Sequence, residues 1–156
     1  MLAGISTVGI KFGYGTGSAK PAKFTLLNRI NQIGGITLTQ ENIDASALED
    51  AIARYVAGRA DIGGGSVNVT INMTNETVTE WETLISAYQA LTGENRMYFE
   101  VYSPKLTKAF FFVAQPPAKL PMPEMGQNGL LTAEIALTIE EYIGLDAAVA
   151  PTVDGQ

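Results

Sequence analysis

From Val67 to Thr74 apolar and polar residues alternate without a break. Val67, Val69, Ile71 and Met73 fall on one side, and Asn68, Thr70, Asn72 and Thr74 on the other. A period of two marks a strand with one buried face. Leu130 to Glu140 repeats the pattern, with Leu131, Ala133, Ile135, Leu137 and Ile139 opposite Thr132, Glu134, Ala136, Thr138 and Glu140. Between these two stretches the period changes. Val78, Trp81, Leu84, Ile85, Tyr88 and Leu91 are spaced by three and four, which makes one stripe along a helix. Thr77 with Glu80 reads as a capping box at its start, and Gly93 as a left-handed residue that closes it. The spacing predicts a helix over about 78–92. Trp81, Leu84, Ile85 and Tyr88 are the expected core of its packing against a sheet.

Weaker signals fill the remainder. Residues 4–12 suit an extended arm or edge strand, and Gly13 to Pro21 reads as a flexible loop. That loop is no phosphate cradle: its glycine spacing fits neither the Walker nor the dinucleotide pattern, and Pro21 stands where a helix should begin. Phe24–Ile30 and Ile36–Thr39 read as strands around the turn Gly34-Gly35. Ser46 with Glu49 opens a second capping box, and Leu48, Ile52, Tyr55 and Val56 suggest a short helix within a long excursion. Met97–Tyr102 and Ala109–Ala114 form a hairpin around Ser103-Pro104-Lys105. The run Phe110-Phe111-Phe112 does not alternate, so that strand is expected to be covered on both faces, one of them by the Trp81 face of the helix. Gln115 to Gly129 is a proline-stiffened crossing loop that exposes Leu120, Met122 and Met125, suited to packing across to another strand or subunit. The expected fold is mainly β with one flanking α-helix, a β-sandwich or barrel. It is read as one domain over 1–156, with a flexible arm over about 1–22 and a coreless tail over about 146–156.

Composition removes whole classes of chemistry. The 156 residues include no cysteine and no histidine. That excludes thiolate nucleophiles, imidazole bases, disulfides and the usual zinc ligand sets. Asp44, Glu49, Asp50 and Asp61 lack the alternating register of a calcium loop and read as a solvated face. Glu134 and Glu140 lie ~20 Å apart along a strand at ~3.3 Å per residue, whereas glycosidase carboxylates stand at most ~10 Å apart. No catalytic residue, cofactor or metal site is expected. Ten Lys and Arg against sixteen acids give a net charge of −6, so the surface offers no surplus of cations to grip phosphates. The three Asn-x-Thr triplets at Asn68, Asn72 and Asn75 follow from a strand with an uncharged polar face. The first ten residues lack the basic flank of a signal peptide, and no apolar run reaches membrane-spanning length. No membrane contact is expected, and the inside of the cell is the expected site of synthesis.

The order of elements is a glycine-rich arm, two strands, an excursion, then strand, helix, hairpin, proline-rich crossing and strand. The excursion reads Ile43-Asp44-x-Ser46-x-Leu48 through Tyr55-x-x-Gly58-x-x-Asp61-x-Gly63. Over roughly residues 24–145 this resembles the major tail protein, or tail tube protein, of long-tailed (siphovirus-type) bacteriophages. The resemblance implies a β-sandwich with one helix whose copies close into hexameric rings, and rings that stack into a hollow tube. DNA passes through such a tube without being held. It further implies a virion protein assembled in the host cytoplasm, with itself and other tail proteins as partners, and no enzymatic activity. On that reading Asp44, Leu48, Tyr55, Leu120 and Met122 are candidate contacts between subunits, and Thr132 and Glu134 face the lumen. A slip of one residue in that strand would bury Glu134 unpaired, at a cost of several kcal/mol. The alternatives are a ring or tube protein of a contractile or secretion-type injection machine, and a monomeric β-sandwich binding module.

Overall fold

The computed structural model describes residues 4–44, 55–62, 65–127 and 129–153, with the backbone alone for 39–44 and 55–62. Nine strands and one helix follow in the order β1 (Lys11–Gly17), β2 (Thr25–Leu27), β3 (Ile30–Ile33), β4 (Leu38–Asp44), β5 (Tyr55–Ile62), β6 (Ser66–Asn72), α1 (Asn75–Gln89), β7 (Arg96–Tyr102), β8 (Lys108–Gln115) and β9 (Thr132–Ala147). Seven strands make one antiparallel sheet in the order β2-β1-β7-β8-β9-β6-β3, and β4 and β5 pair as a separate two-stranded ribbon.

The sheet folds back on itself about β9, a strand of 16 residues. Thr132–Thr138 pairs with β6, and from Thr138 to Ala147 the strand pairs with β8. Two register shifts, at Phe111/Phe112 and Val113/Ala114, bend this second half, because an extra residue in one strand kinks and twists the ladder. The inner faces of the two halves then meet. Val67, Val69, Ile71, Ile135 and Leu137 from β6 and β9 share one core with Phe12, Phe99 and Phe112 from β1, β7 and β8. The three rings form a mutual cluster: Phe99 stacks on Phe12 at 5.5 Å and on Phe112 at 5.4 Å, and Phe12 and Phe112 meet at 6.3 Å. The result is the expected mainly β sandwich, with a single flanking helix among the described residues.

Helix α1 starts three residues before the expected place. Thr74 is the N-cap: its hydroxyl accepts from the Thr77 N–H at 3.2 Å, while the Thr77 hydroxyl accepts from the Thr74 N–H at 2.8 Å. Thr77 therefore answers the box rather than opening it. Its side chain is buried and also donates to the Asn72 carbonyl at 2.9 Å, which ties the helix to the end of β6. Glu80 is thereby free for another use. It accepts from the backbone N–H and side-chain amide of Asn28 at 3.2–3.3 Å, at the corner where Arg29 takes φ 57. The helix ends at Gln89 with Ala90 as C-cap, and Gly93 (φ 66) belongs to the turn that follows. Trp81 and Leu84 are fully buried, Ile85 is buried, and Tyr88 packs half-buried against the same core.

Both chain ends depart from expectation. Lys11–Gly17 is a strand with partners on both sides, not a loop. Its glycines are there for closeness. A Cβ on Gly13 would stand 2.9 Å from Pro151, and one on Gly15 would stand 2.7 Å from Pro21. Two other segments of chain therefore lie flat on β1, which no side chain there would permit. The C-terminal stretch is likewise tied down. Ala147 still belongs to β9, Pro151 is buried, and Thr152 exchanges backbone hydrogen bonds with Phe24 and Leu26 at 3.1 and 2.9 Å. Together these segments cover a second core on the outer face of β7 and β8, made of Phe24, Tyr98, Ala109, Phe111 and Val113 with Ala148 and Val149 packed on it. Phe111 and Phe112 thus serve opposite faces, while Phe110 stays partly exposed.

The excursion also differs. Tyr55 and Val56, expected on a short helix, begin strand β5, and Asp44 pairs with Tyr55 across the ribbon. Ser46, Leu48, Glu49 and Ile52 lie outside the described residues. Among the described residues no helix is long and apolar enough to cross a membrane.

Candidate assembly surfaces

Three surfaces stand out among the described residues. The first is the outer face of β6 and β9. Thr70 pairs with Glu134, Asn72 with Thr132 and Asn68 with Ala136, so these residues project together while Val69, Ile71, Ala133 and Ile135 turn inward. The Asn31 amide donates to the Asn72 side chain at 3.3 Å and extends the polar face to β3. Glu134 is exposed and Thr132 half-buried. The other acids of β9 have partners: Glu140 accepts from Gln115 at 2.6 Å, Glu141 pairs with Arg96 at 2.8 Å, and Asp146 pairs with Lys20 at 3.0 Å. Among the described residues Glu134 has no such partner, and it is the single carboxylate in a field of Asn, Thr and Ala.

The second surface is the crossing loop. Its start is held by the Gln89 amide, which donates to the Ala118 carbonyl at 3.4 Å, and its end by the Met73 N–H, which donates to Leu131 O at 2.9 Å. Leu120 packs half-buried against the main core. Beyond it Met122 is 87% exposed, Met125 63% and Leu130 75%. Most of the surface of these apolar side chains is left uncovered by the chain itself.

The third is a groove of about 770 Å³ between the N-terminal arm, the β3–β4 connection and the outer ends of β7, β8 and β9. Its lining includes Phe110, Phe112 and Tyr142 together with Ile33 and Ile36. Sequence reasoning missed it, because its residues come from five separated stretches and no local pattern joins them. The ribbon β4–β5 completes the inventory. Its pairing runs from Leu38/Ile62 to Asp44/Tyr55, and among the described residues neither outer edge has a strand partner.

Beneath the chain ends lies a buried acid that the sequence also hid. Tyr98, Glu100 and Tyr102 alternate with Met97, Phe99 and Val101, so Glu100 reads as facing water. The strap 148–152 covers it instead. Glu100 is fully buried; Oε2 accepts from the Val149 N–H at 2.9 Å and Oε1 has no partner. Burial pushes its carboxyl up to about 7, against the opposing pull of the Val149 N–H and of Lys20. Lys20 is otherwise engaged, paired to Asp146 and lying 4.3 Å over the Phe111 ring. The flanking positions on the neighbouring strands are Gly13 and Phe111, which carry no charge.

No protein-family model matches the chain, and no curated protein matches its sequence. Solved structures do match its fold. One is the tail of an empty GTA particle with C6 symmetry: it is 12% identical, covers 94% of this chain and 100% of that one, and has a TM-score of 0.60. Another is the baseplate of the anti-feeding prophage, 6-fold symmetrised: it is 12% identical, covers 96% of this chain and 100% of that one, and has a TM-score of 0.56. The chain has the helix-flanked β-sandwich fold of these tail and baseplate subunits.

Proposed function

We propose that this chain is a structural subunit of a phage tail, closing into hexameric rings that stack as the hollow tube through which DNA leaves the particle. The observation that carries the reading is its likeness, over nearly the whole of both chains, to a subunit of a C6-symmetric tail. The surfaces support it. A tube wall must let phosphates slide, and the β6–β9 face offers uncharged amides and hydroxyls with one unpaired carboxylate and no cation. Such a face gives DNA no ion pair to form. We place Thr132 and Glu134 on that wall. Asp44, Leu48 and Tyr55 of the excursion, and Leu120 and Met122 of the crossing loop, are assigned to contacts between subunits. Free strand edges and exposed apolar loops are liabilities in a monomer, and a ring with neighbours above and below removes both. The partners are other copies and other tail proteins, with DNA in passage. The location is the virion tail after assembly in the host cytoplasm, and the role is structural rather than catalytic.

The likeness to the anti-feeding prophage baseplate favours a second reading, a ring at the end of an injection machine's tube. Negative-stain microscopy of the purified protein at high concentration separates the cases. Long hollow tubes support the tube subunit, and isolated six-fold rings support the baseplate reading. A monodisperse 16.6 kDa species overturns both in favour of a monomeric binding module.

A further inference from the structure

The groove and the crossing loop are matched in chemistry. Every residue lining the groove is uncharged, and the walls combine Phe110, Phe112 and Tyr142 with aliphatic side chains. A fitting occupant is therefore extended, uncharged at its centre and apolar. The crossing loop presents such a segment. Pro121 and Pro123 bracket Met122, and no residue of the loop lines its own chain's groove. Prolines hold a segment extended before it binds, so little conformational entropy remains to be lost, and proline-rich strands dock in aromatic-lined grooves for that reason. A thioether between two prolines adds favourable contact with aromatic rings.

Resting on the tail reading, we propose that Pro121–Pro123 of one copy lies in the groove of the next copy in the ring, with Met122 inserted against Phe110, Phe112 and Tyr142. The two patches are different surfaces of one chain, so the contact is head-to-tail, and a head-to-tail contact repeated by rotation closes a ring. Met122, the most exposed of the large apolar side chains described, and Phe110, the partly exposed member of the Phe run, become each other's cover.

The test needs first the native protein and then a cysteine pair. Peroxide oxidation of Met122, read by peptide mass, is expected to slow about tenfold from free subunit to assembled ring, since sulfoxide formation follows exposure. The chain has no cysteine of its own. Met122→Cys with Phe110→Cys in one chain is therefore expected to give an oxidised ladder of covalent oligomers from assembled material, and either substitution alone is expected to give none. Rings whose Met122 oxidises at the free-subunit rate overturn the inference and leave the tail reading standing. The same holds for rings of the double variant that give no ladder, which would leave another segment or another protein to fill the groove. If the double variant fails to assemble, the oxidation rate in native rings decides alone. Native protein that forms neither rings nor tubes overturns the tail reading and this inference together.

Discussion

Replacing Glu100 by Gln should raise stability by an amount that grows steadily from mild acid to neutral and alkaline pH. In the folded chain this carboxyl is pushed from 4.5 up to about 7 by burial. A folded-state value above the unfolded one means that the native state holds its proton more tightly. The contribution is fully present below about pH 4.5 and disappears as pH rises through about 7, because the folded chain must then hold a buried charge that water would solvate. At 1.36 kcal/mol per unit the full cost is about 3 kcal/mol, of which about 2 kcal/mol accrues between about pH 5.5 and pH 8. The Gln amide keeps an oxygen to accept from Val149 N–H and puts an NH₂ where Oε1 already lacks a partner. Where the parent carboxyl is protonated in both states, below about pH 4.5, it replaces a neutral acid by a neutral amide of the same shape.

Urea denaturation followed by the fluorescence of Trp81, the chain's single tryptophan, measures the difference. The lower pH stays about a unit above the pI of 4.6 to avoid precipitation. Other titrating groups are common to both proteins and cancel. Asp146 acts in a separate window: the Ala147 N–H and Lys20 hold it below its usual value, so its contribution is lost only in stronger acid. A stability gap between Glu100→Gln and the parent that does not widen from pH 5.5 to pH 8 refutes the argument. So does a variant that is less stable than the parent at pH 8.

Two further predictions follow from the core and from the polar face. Trp81→Ala should cost about 3–5 kcal/mol, the range for emptying a large aromatic site. Trp81→Phe should cost less than half of that, because it also removes a buried indole N–H that has no partner; equal losses for the two variants, read by circular dichroism in urea, would contradict the packing described. Glu134→Lys should leave tubes intact but make them retain DNA in a salt-sensitive way. Tubes of that variant with no added DNA affinity at low salt would place Glu134 off the channel wall.

What the sequence revealed and what it hid divide along one physical line. Strand β6, the part of β9 up to Glu140 and helix α1 bury one face and wet the other, so hydrophobic period alone located them, and Trp81 and Leu84 could be assigned to the core from spacing. Several readings that went astray concern residues covered by another segment of the chain. Gly13 and Gly15 look like loop residues until Pro151 and Pro21 are seen lying on them. Glu100 looks solvated until Val149 covers it. Glu80 fitted a local capping box, but the corner at Asn28 claims its carboxylate and Thr77 takes its place. In each case a local rule gave a sound answer to a local question, and a tertiary contact replaced it: Glu100 with Val149, Glu80 with Asn28 and Gly13 with Pro151 all join residues far apart in sequence. The same line separates the candidate surfaces. The β6–β9 face was legible because it belongs to two alternating strands, whereas the aromatic groove exists only once the arm, the β3–β4 connection and the ends of β7–β9 converge. Features built from chain ends and crossings are also those best placed to be completed by a neighbouring copy. The exposed methionines of the crossing loop were legible in the sequence and the groove was not, so on the tail reading one half of the proposed contact between copies could be read from one chain and the other half only from its fold.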